Sequence, residues 1–218
     1  MTILQATTVQ IARSESVFDI ILKGGWILIP ISIMSVFAIY YIIERYTLIS
    51  SVSKINKSIV DEICLNIRNK NFEKAREIAI GYKHPVGRII AAGLENPKRD
   101  VKDIEQIMAD EAKAESFYLE KNLGYIGSIA TIAPMFGFLG TIFGVIKIFY
   151  NISLADNISI GIIAGGLYQK MVSSAAGLTV GILAFAGSYY LNTLIDGFVN
   201  KMERSLTPVV NAIRDSKL

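Results

Sequence analysis

Residues 122–146 read NLGYIGSIATIAPMFGFLGTIFGVI, a stretch without a charged side chain bounded by Lys121 and Lys147. At about 1.5 Å rise per residue, a helix of this length exceeds the roughly 18 residues that cross a bilayer. Its apolar residues occupy every face of a helix, so no single stripe can be turned inward to leave a polar surface. Two further stretches share the property. Residues 24–43, GGWILIPISIMSVFAIYYII, lie between Lys23 and Glu44, and residues 171–195, MVSSAAGLTVGILAFAGSYYLNTLI, lie between Lys170 and Asp196 after the apolar lead-in NISIGIIAGGLYQ. Trp26 at one end of the first stretch and Tyr40 and Tyr41 at the other suit the two interfacial aromatic belts. A chain of 218 residues has too little mass to bury three helices that are apolar all round. The expected fold is an all-α integral membrane protein with three transmembrane helices.

Composition agrees. Hydrophobic residues make up 52% of the chain and charged residues 19%, against about 25% charged in soluble domains. The 22 Lys+Arg against 19 Asp+Glu give +3, too even a balance for a nucleic-acid partner. A single cysteine, Cys64, and a single histidine, His84, exclude a disulfide framework and leave no expectation of a metal or cofactor site. No nucleophile with a matched base and no phosphate-binding glycine loop after a strand is present, so an enzyme is not expected. His84, in YKHPVG, reads as a solvated or capping residue.

Lys and Arg number 2 before residue 24, 14 in 44–121, 2 in 147–170 and 4 after residue 195. By the positive-inside rule the N-terminus is outside and the C-terminus inside. The expected organisation is an outer amphipathic segment at 1–22, the first span at 23–43, a cytoplasmic helical region at 44–121, the second span at 122–149, an outer hairpin at 150–160, the third span at 161–195 and a cytoplasmic tail at 196–218. Residues 1–22 contain Glu15 and Asp19 and no apolar core of their own, so a cleaved signal is not expected. In the inside region Ile104, Ile107, Met108, Ala112 and Leu119 recur at helical spacing. The second span is expected to continue into the cytoplasm as one helix from Asp100 to Tyr150, about 75 Å long, and the third to run from Gly161 to about Leu206, ahead of Pro208. Short amphipathic helices are expected at 71–80, ended by Gly81, and at 86–94.

The second and third spans are unlike the first. Steps of three and four place Ala133, Gly137, Thr141, Gly144 and Val145 on one face of the second, with Gly140 and Gly144 forming a GxxxG, and Ser173, Gly177 and Gly181 on one face of the third, with Ser174 beside them. Small-residue ridges let helices approach closely in lipid. Measured from the outer ends of their uncharged windows, Thr141 and Ser174 fall within about 3 Å of the same depth. Two readings stay open: each hydroxyl bonds a carbonyl of its own helix, or the two form one polar layer on an ion path. No Asp, Glu or Arg stands inside any span, so a carboxylate carrying protons across the membrane has to come from a partner. Lys147 and Lys170 read as snorkelling anchors at the outer boundary.

These residues resemble the ExbB/TolQ/MotA proton-channel family, and within it the ExbB/TolQ branch. Ala133, Pro134, Gly137, Gly140, Thr141 and Gly144 follow its AP-x-x-G-x-x-GT-x-x-G pattern; YQKMVSSAAGLTVGI at 168–182, AREIAIGYKHPVGRIIAAGL at 75–94 and Glu44-Arg45 match further segments. The resemblance spans roughly residues 20–205. It implies that Thr141 and Ser174 lie on the ion pathway, that Pro134, Gly137, Gly140, Gly144, Ser173, Gly177 and Gly181 line a pore or pack helices, and that Gln169, where many members have glutamate, is a polar pore position. Leu183 stands where the family's IPA motif has proline, which implies a straighter third helix. It further implies a bacterial inner-membrane homo-oligomer, a pentamer, holding two copies of an ExbD/TolR-type single-span protein with a membrane aspartate, and driving a TonB- or TolA-type protein that spans the envelope. A non-conducting membrane scaffold and a MotA-like flagellar stator subunit are the alternatives, and the choice between proton and sodium stays open.

Overall fold

The computed structural model describes residues 25–154 and 160–217, with the side chains of Ile162 and Gln169 excepted. The amphipathic segment expected at 1–22 and most of the hairpin at 150–160 lie outside the described residues. Among those described, the chain is helical and has no strand: α1 (Leu28–Val52), α2 (Lys57–Arg68), α3 (Phe72–Gly81), α4 (Pro85–Gly93), α5 (Val101–Glu120), α6 (Leu123–Ser153) and α7 (Ile160–Lys217). α1, α6 and α7 are each long and apolar enough to cross a membrane, and only 22% of the most apolar window in each is buried within the single chain. Many of the remaining apolar side chains, among them Phe37, Phe138, Phe143 and Phe185, are exposed, which in water would be an aggregation surface and in lipid or an oligomer is the natural arrangement.

The chain divides into two compact units. One comprises 35–131 and 182–217. Its water-soluble part is assembled from short, individually capped helices: the side chain of Asn56 accepts from the Ser58 amide at the start of α2, Asn71 from Lys74 at α3, His84 from Val86 at α4 and Asp100 from Val101 at α5. Such caps satisfy amides that have no partner within the helix. Pro85 opens α4 where its missing N–H costs nothing. Leu191, Ile195, Phe198, Met202, Leu206, Val209 and Ile213 of α7 form a stripe at three- and four-residue steps, and Ile63, Ile67, Ile89, Ile90, Ile104 and Met108 pack into the same core. Burying each such side chain contributes about 1.5–3 kcal/mol. Gly93 permits the contact of α4 with α5, since a Cβ there would sit 2.6 Å from Met108 Cγ.

The observed helices extend and correct the expected ones. α1 continues past Ile43 to Val52, and α2 was not expected. The single helix expected from Asp100 to Tyr150 is two helices, broken at Lys121 and Asn122, where Asn122 takes a left-handed φ of 71°. Arg45, 4% exposed, holds the break: one of its guanidinium nitrogens donates to the Tyr118 carbonyl at 3.3 Å, and Asn122 Nδ2 donates to Glu44 at 3.4 Å. Arg45 also donates to the Glu44 carboxylate at 2.7 Å. α7 does not stop ahead of Pro208 but continues through it to Lys217, because Val209, Ala212 and Ile213 beyond it are buried. His84 is a cap, as one of its two readings has it, but it is buried rather than solvated.

The second unit comprises 25–34 and 132–181. Its only described cluster of buried apolar side chains is small: Ile27, Leu28 and Ile31 of the first span meet Phe136, Ala176 and Val180. Met135, Phe138, Phe143, Ile146, Met171 and Leu178 point outward. Cohesion here rests on close backbone packing of α6 against α7.

Candidate functional site

The α6–α7 seam is built from the small residues that the two ridges supply. A Cβ at Gly177 would lie 2.5 Å from the Ala133 carbonyl oxygen and 3.0 Å from Gly137 Cα; one at Gly137 would lie 3.0 Å from the Ser173 carbonyl and from Ser174 Cα. At Gly140 it would meet Ser173 Oγ at 2.9 Å and Ile27 Cγ2 at 3.2 Å. These glycines therefore pack helices: at Gly137 and Gly177 a larger side chain would force the backbones apart, and at Gly140 it would displace the Ser173 and Ile27 side chains. Gly181 continues the ridge and is buried. Pro134 lies within α6, half-buried, and removes one amide from its hydrogen-bond ladder.

Three polar groups converge on the seam. Thr141 Oγ1 lies 3.2 Å from the Lys170 carbonyl oxygen and 3.3 Å from the Gly137 carbonyl of its own helix. Ser173, fully buried, donates from Oγ to the same Lys170 carbonyl at 2.8 Å. The hydroxyl of Thr141 is thus both a back-bond within α6 and a tie across to α7. Ser174, half-buried, sits opposite Gly137, about one turn from Thr141. The pairing made by this single chain is Thr141 with Ser173 on one carbonyl, and Ser174 is brought to the glycine ridge instead. The backbone of Gln169 belongs to α7, and its side chain is outside the described residues.

Lys170 is more than a headgroup anchor. Its Cγ, Cδ and Cε occupy the space where Gly144 would carry a side chain, and its Nζ approaches Gly25. The third glycine of the ridge therefore accommodates a lysine stem that lies across α6 and ends in a cation near the start of the first span. Lys147 is exposed. The signal for this was present in the sequence as Gly144 and Lys170, but the register that joins them is a tertiary fact.

A profile of the MotA/TolQ/ExbB proton channel family matches residues 82–204. The chain is 25% identical over 194 residues to an ExbB homolog of Methanothermobacter thermautotrophicus, covering 86% of this chain and 67% of that protein. It is 26% identical over 178 residues to an ExbB-like protein of Synechocystis, covering 80% and 70%, and 22% identical over 129 residues to the biopolymer transport protein ExbB of Salmonella typhimurium, covering 53% and 52%. The matched region runs from the cap of α4 through the whole seam. With three long apolar helices and a glycine ridge at the family's spacing, this chain is a membrane protein and belongs to the MotA/TolQ/ExbB proton channel family, on its ExbB-like side.

Proposed function

We propose that this chain is the oligomeric inner-membrane subunit of a motor driven by the proton-motive force, acting with an ExbD/TolR-type single-span protein and energising a TonB- or TolA-type protein. The observation that carries the reading is the Thr141 hydroxyl, half-buried and tied to the Lys170 carbonyl, at a seam with no acidic side chain in either span. A hydroxyl donates and accepts, so it can serve a partner carboxylate that is alternately protonated and charged, or the water that delivers its proton. A bare carboxylate in the membrane is costly, and protonation removes that cost. Each charge crossing about 100 mV releases roughly 2.3 kcal/mol, available for rotation of one component against the other. Thr141 and Ser174 are the proposed ion-path residues, with Gln169 a further polar position. The outward apolar faces of the three spans support a homo-oligomer, proposed as a pentamer around two partner copies. The charge distribution supports a periplasmic N-terminus and a cytoplasmic C-terminus.

A non-conducting scaffold has one observation in its favour, the back-bond from Thr141 to Gly137, which needs no ion path. Co-expression with a single-span protein carrying a membrane aspartate, purification from membranes and native mass spectrometry decide between them. Five copies of this chain with two of the partner are expected. A stable homo-oligomer that never retains such a partner would favour the scaffold.

A further inference from the structure

The water-soluble part of the larger unit carries a cavity that the motor reading leaves unused. It measures about 670 Å³ and lies between the α1–α2 connection and one face of α7. Lys54, Lys57, Lys201 and Arg204 line it, against one carboxylate, Asp61, and Ser205 contributes to its wall. Lys201, Arg204, Ser205 and Pro208 recur at three- and four-residue steps, so α7 presents one basic face to the cavity. The opposite wall adds the start of α2, whose first helical residue is Lys57 and whose backbone dipole is positive at that end. Among the described residues none of the four cations has a carboxylate within ion-pair distance, whereas Arg45, Arg88, Lys113 and Arg214 each do. The cavity therefore gathers an excess of about three positive charges from two segments far apart in sequence.

We infer that this cavity is a binding site for a phosphate-bearing anion, and that its occupant is the headgroup of an anionic phospholipid of the adjoining leaflet. Phosphate chemistry follows from the donors: three lysine ammonium groups and one guanidinium fork suit a phosphodiester with several acceptor oxygens, while the Ser205 hydroxyl donates to the Lys201 carbonyl of its own helix at 2.9 Å. The source follows from position along α7. Lys201 and Arg204 are six and nine residues past Ile195, the end of the uncharged span, distances of about 9 and about 14 Å at 1.5 Å per residue, so Lys201 marks the membrane-near rim of the cavity and Arg204 its deeper wall. The headgroup layer extends about 5–8 Å beyond the hydrocarbon, and a lysine side chain reaches back across the remainder. Ile55, Val60 and Pro208 give the cavity apolar wall as well. The inference uses the membrane placement of α1 and α7 and is independent of whether the assembly conducts protons.

The test uses the full chain purified in mild detergent, with and without Lys201→Gln and Arg204→Gln. Both side chains are exposed on α7, so the double variant should fold, and unchanged helicity and oligomer size confirm that it does. Phosphatidylglycerol and phosphatidylcholine are added in turn, and retained lipid is read by native mass spectrometry. Phosphatidylglycerol should be retained preferentially, and the double variant should weaken retention about twenty-fivefold, from about fivefold per cation near an anionic lipid surface. A parallel arm adds inorganic phosphate alone and reads thermal unfolding by loss of helical circular dichroism. If millimolar phosphate stabilises the wild type but not the variant and phosphatidylglycerol does neither, the phosphate site stands and the lipid source is overturned. If variant and wild type retain phosphatidylglycerol equally and neither responds to phosphate, the site itself is overturned.

Discussion

Adding one methyl group to α7 at two positions should move stability in opposite directions. At Gly177 a new Cβ meets backbone, 2.5 Å from the Ala133 oxygen and 3.0 Å from Gly137 Cα and N. Ordinary contact begins near 3.4 Å, so Gly177→Ala must open the seam by close to an ångström at its tightest point, and no flexible side chain is there to give way. Overpacking of this kind costs about 1–3 kcal/mol. The same opening stretches the Thr141 Oγ1 to Lys170 oxygen distance from 3.2 Å past useful hydrogen-bond length, which adds about 1 kcal/mol. The expected destabilisation is about 2–4 kcal/mol. At Gly197, on the same helix, a Cβ meets nothing within 4 Å, and replacing a helical glycine by alanine gains about 0.5–1 kcal/mol. Thermal unfolding of the purified protein in one detergent compares the two variants directly. A Gly177→Ala protein as stable as Gly197→Ala would refute the close-packed seam.

Two further outcomes concern the helical region outside the spans. The His84 ring accepts from the Val86 amide at Nδ1 and donates from Nε2 to the Val52 carbonyl at 2.9 Å, and burial lowers its pKa from the usual 6.5. The unfolded chain thus binds this proton more readily than the folded one, so His84 leaves stability undiminished above pH 6.5 and reduces it as pH falls toward the lowered folded value; His84→Asn, which keeps a capping acceptor, should flatten that acid slope in pH-dependent unfolding. Arg88 grips the buried Glu115 through both carboxylate oxygens, with the second contact at 2.6 Å. Because the Arg88 side chain is half exposed, Glu115→Ala should cost about 1–2 kcal/mol rather than the larger penalty of a fully buried pair, and Arg88→Ala, which strands the buried carboxylate, should cost more in chemical denaturation.

What was legible in the sequence was whatever a local pattern encodes. Charge-free length marked α1, α6 and α7 as spans, and the spacing of apolar residues marked α3 and α4 to within a residue or two, whereas the caps Asn71 and His84 that open them became definite only in the fold. The break at Asn122 was hidden because lysine and asparagine are tolerated within helices; asparagine also accepts the left-handed conformation, and Arg45, 77 positions earlier in the chain, is needed to hold it there. Pro208 suggested an end that core burial of Val209 and Ile213 overrides. At the seam, the ridge glycines were legible from their spacing. The register was not: depth counted from window ends placed Thr141 level with Ser174, whereas packing sets Thr141 against Lys170 and Ser174 against Gly137. Counting from charges treats Lys170 as the end of the span, whereas its apolar stem lies folded along Gly144 as part of the seam.

The central claim is that the Thr141 and Ser174 hydroxyls serve an ion path completed by a partner carboxylate. The most direct measurement is proton flux into proteoliposomes containing the complex with its single-span partner, under an imposed potential, for the wild type and for Thr141→Val with Ser174→Ala. Valine keeps the shape of threonine and alanine that of a smaller serine, so the seam should still assemble with its partner at unchanged stoichiometry. The account predicts that flux falls at least tenfold while the complex stays intact. Wild-type flux through an intact double variant would contradict it.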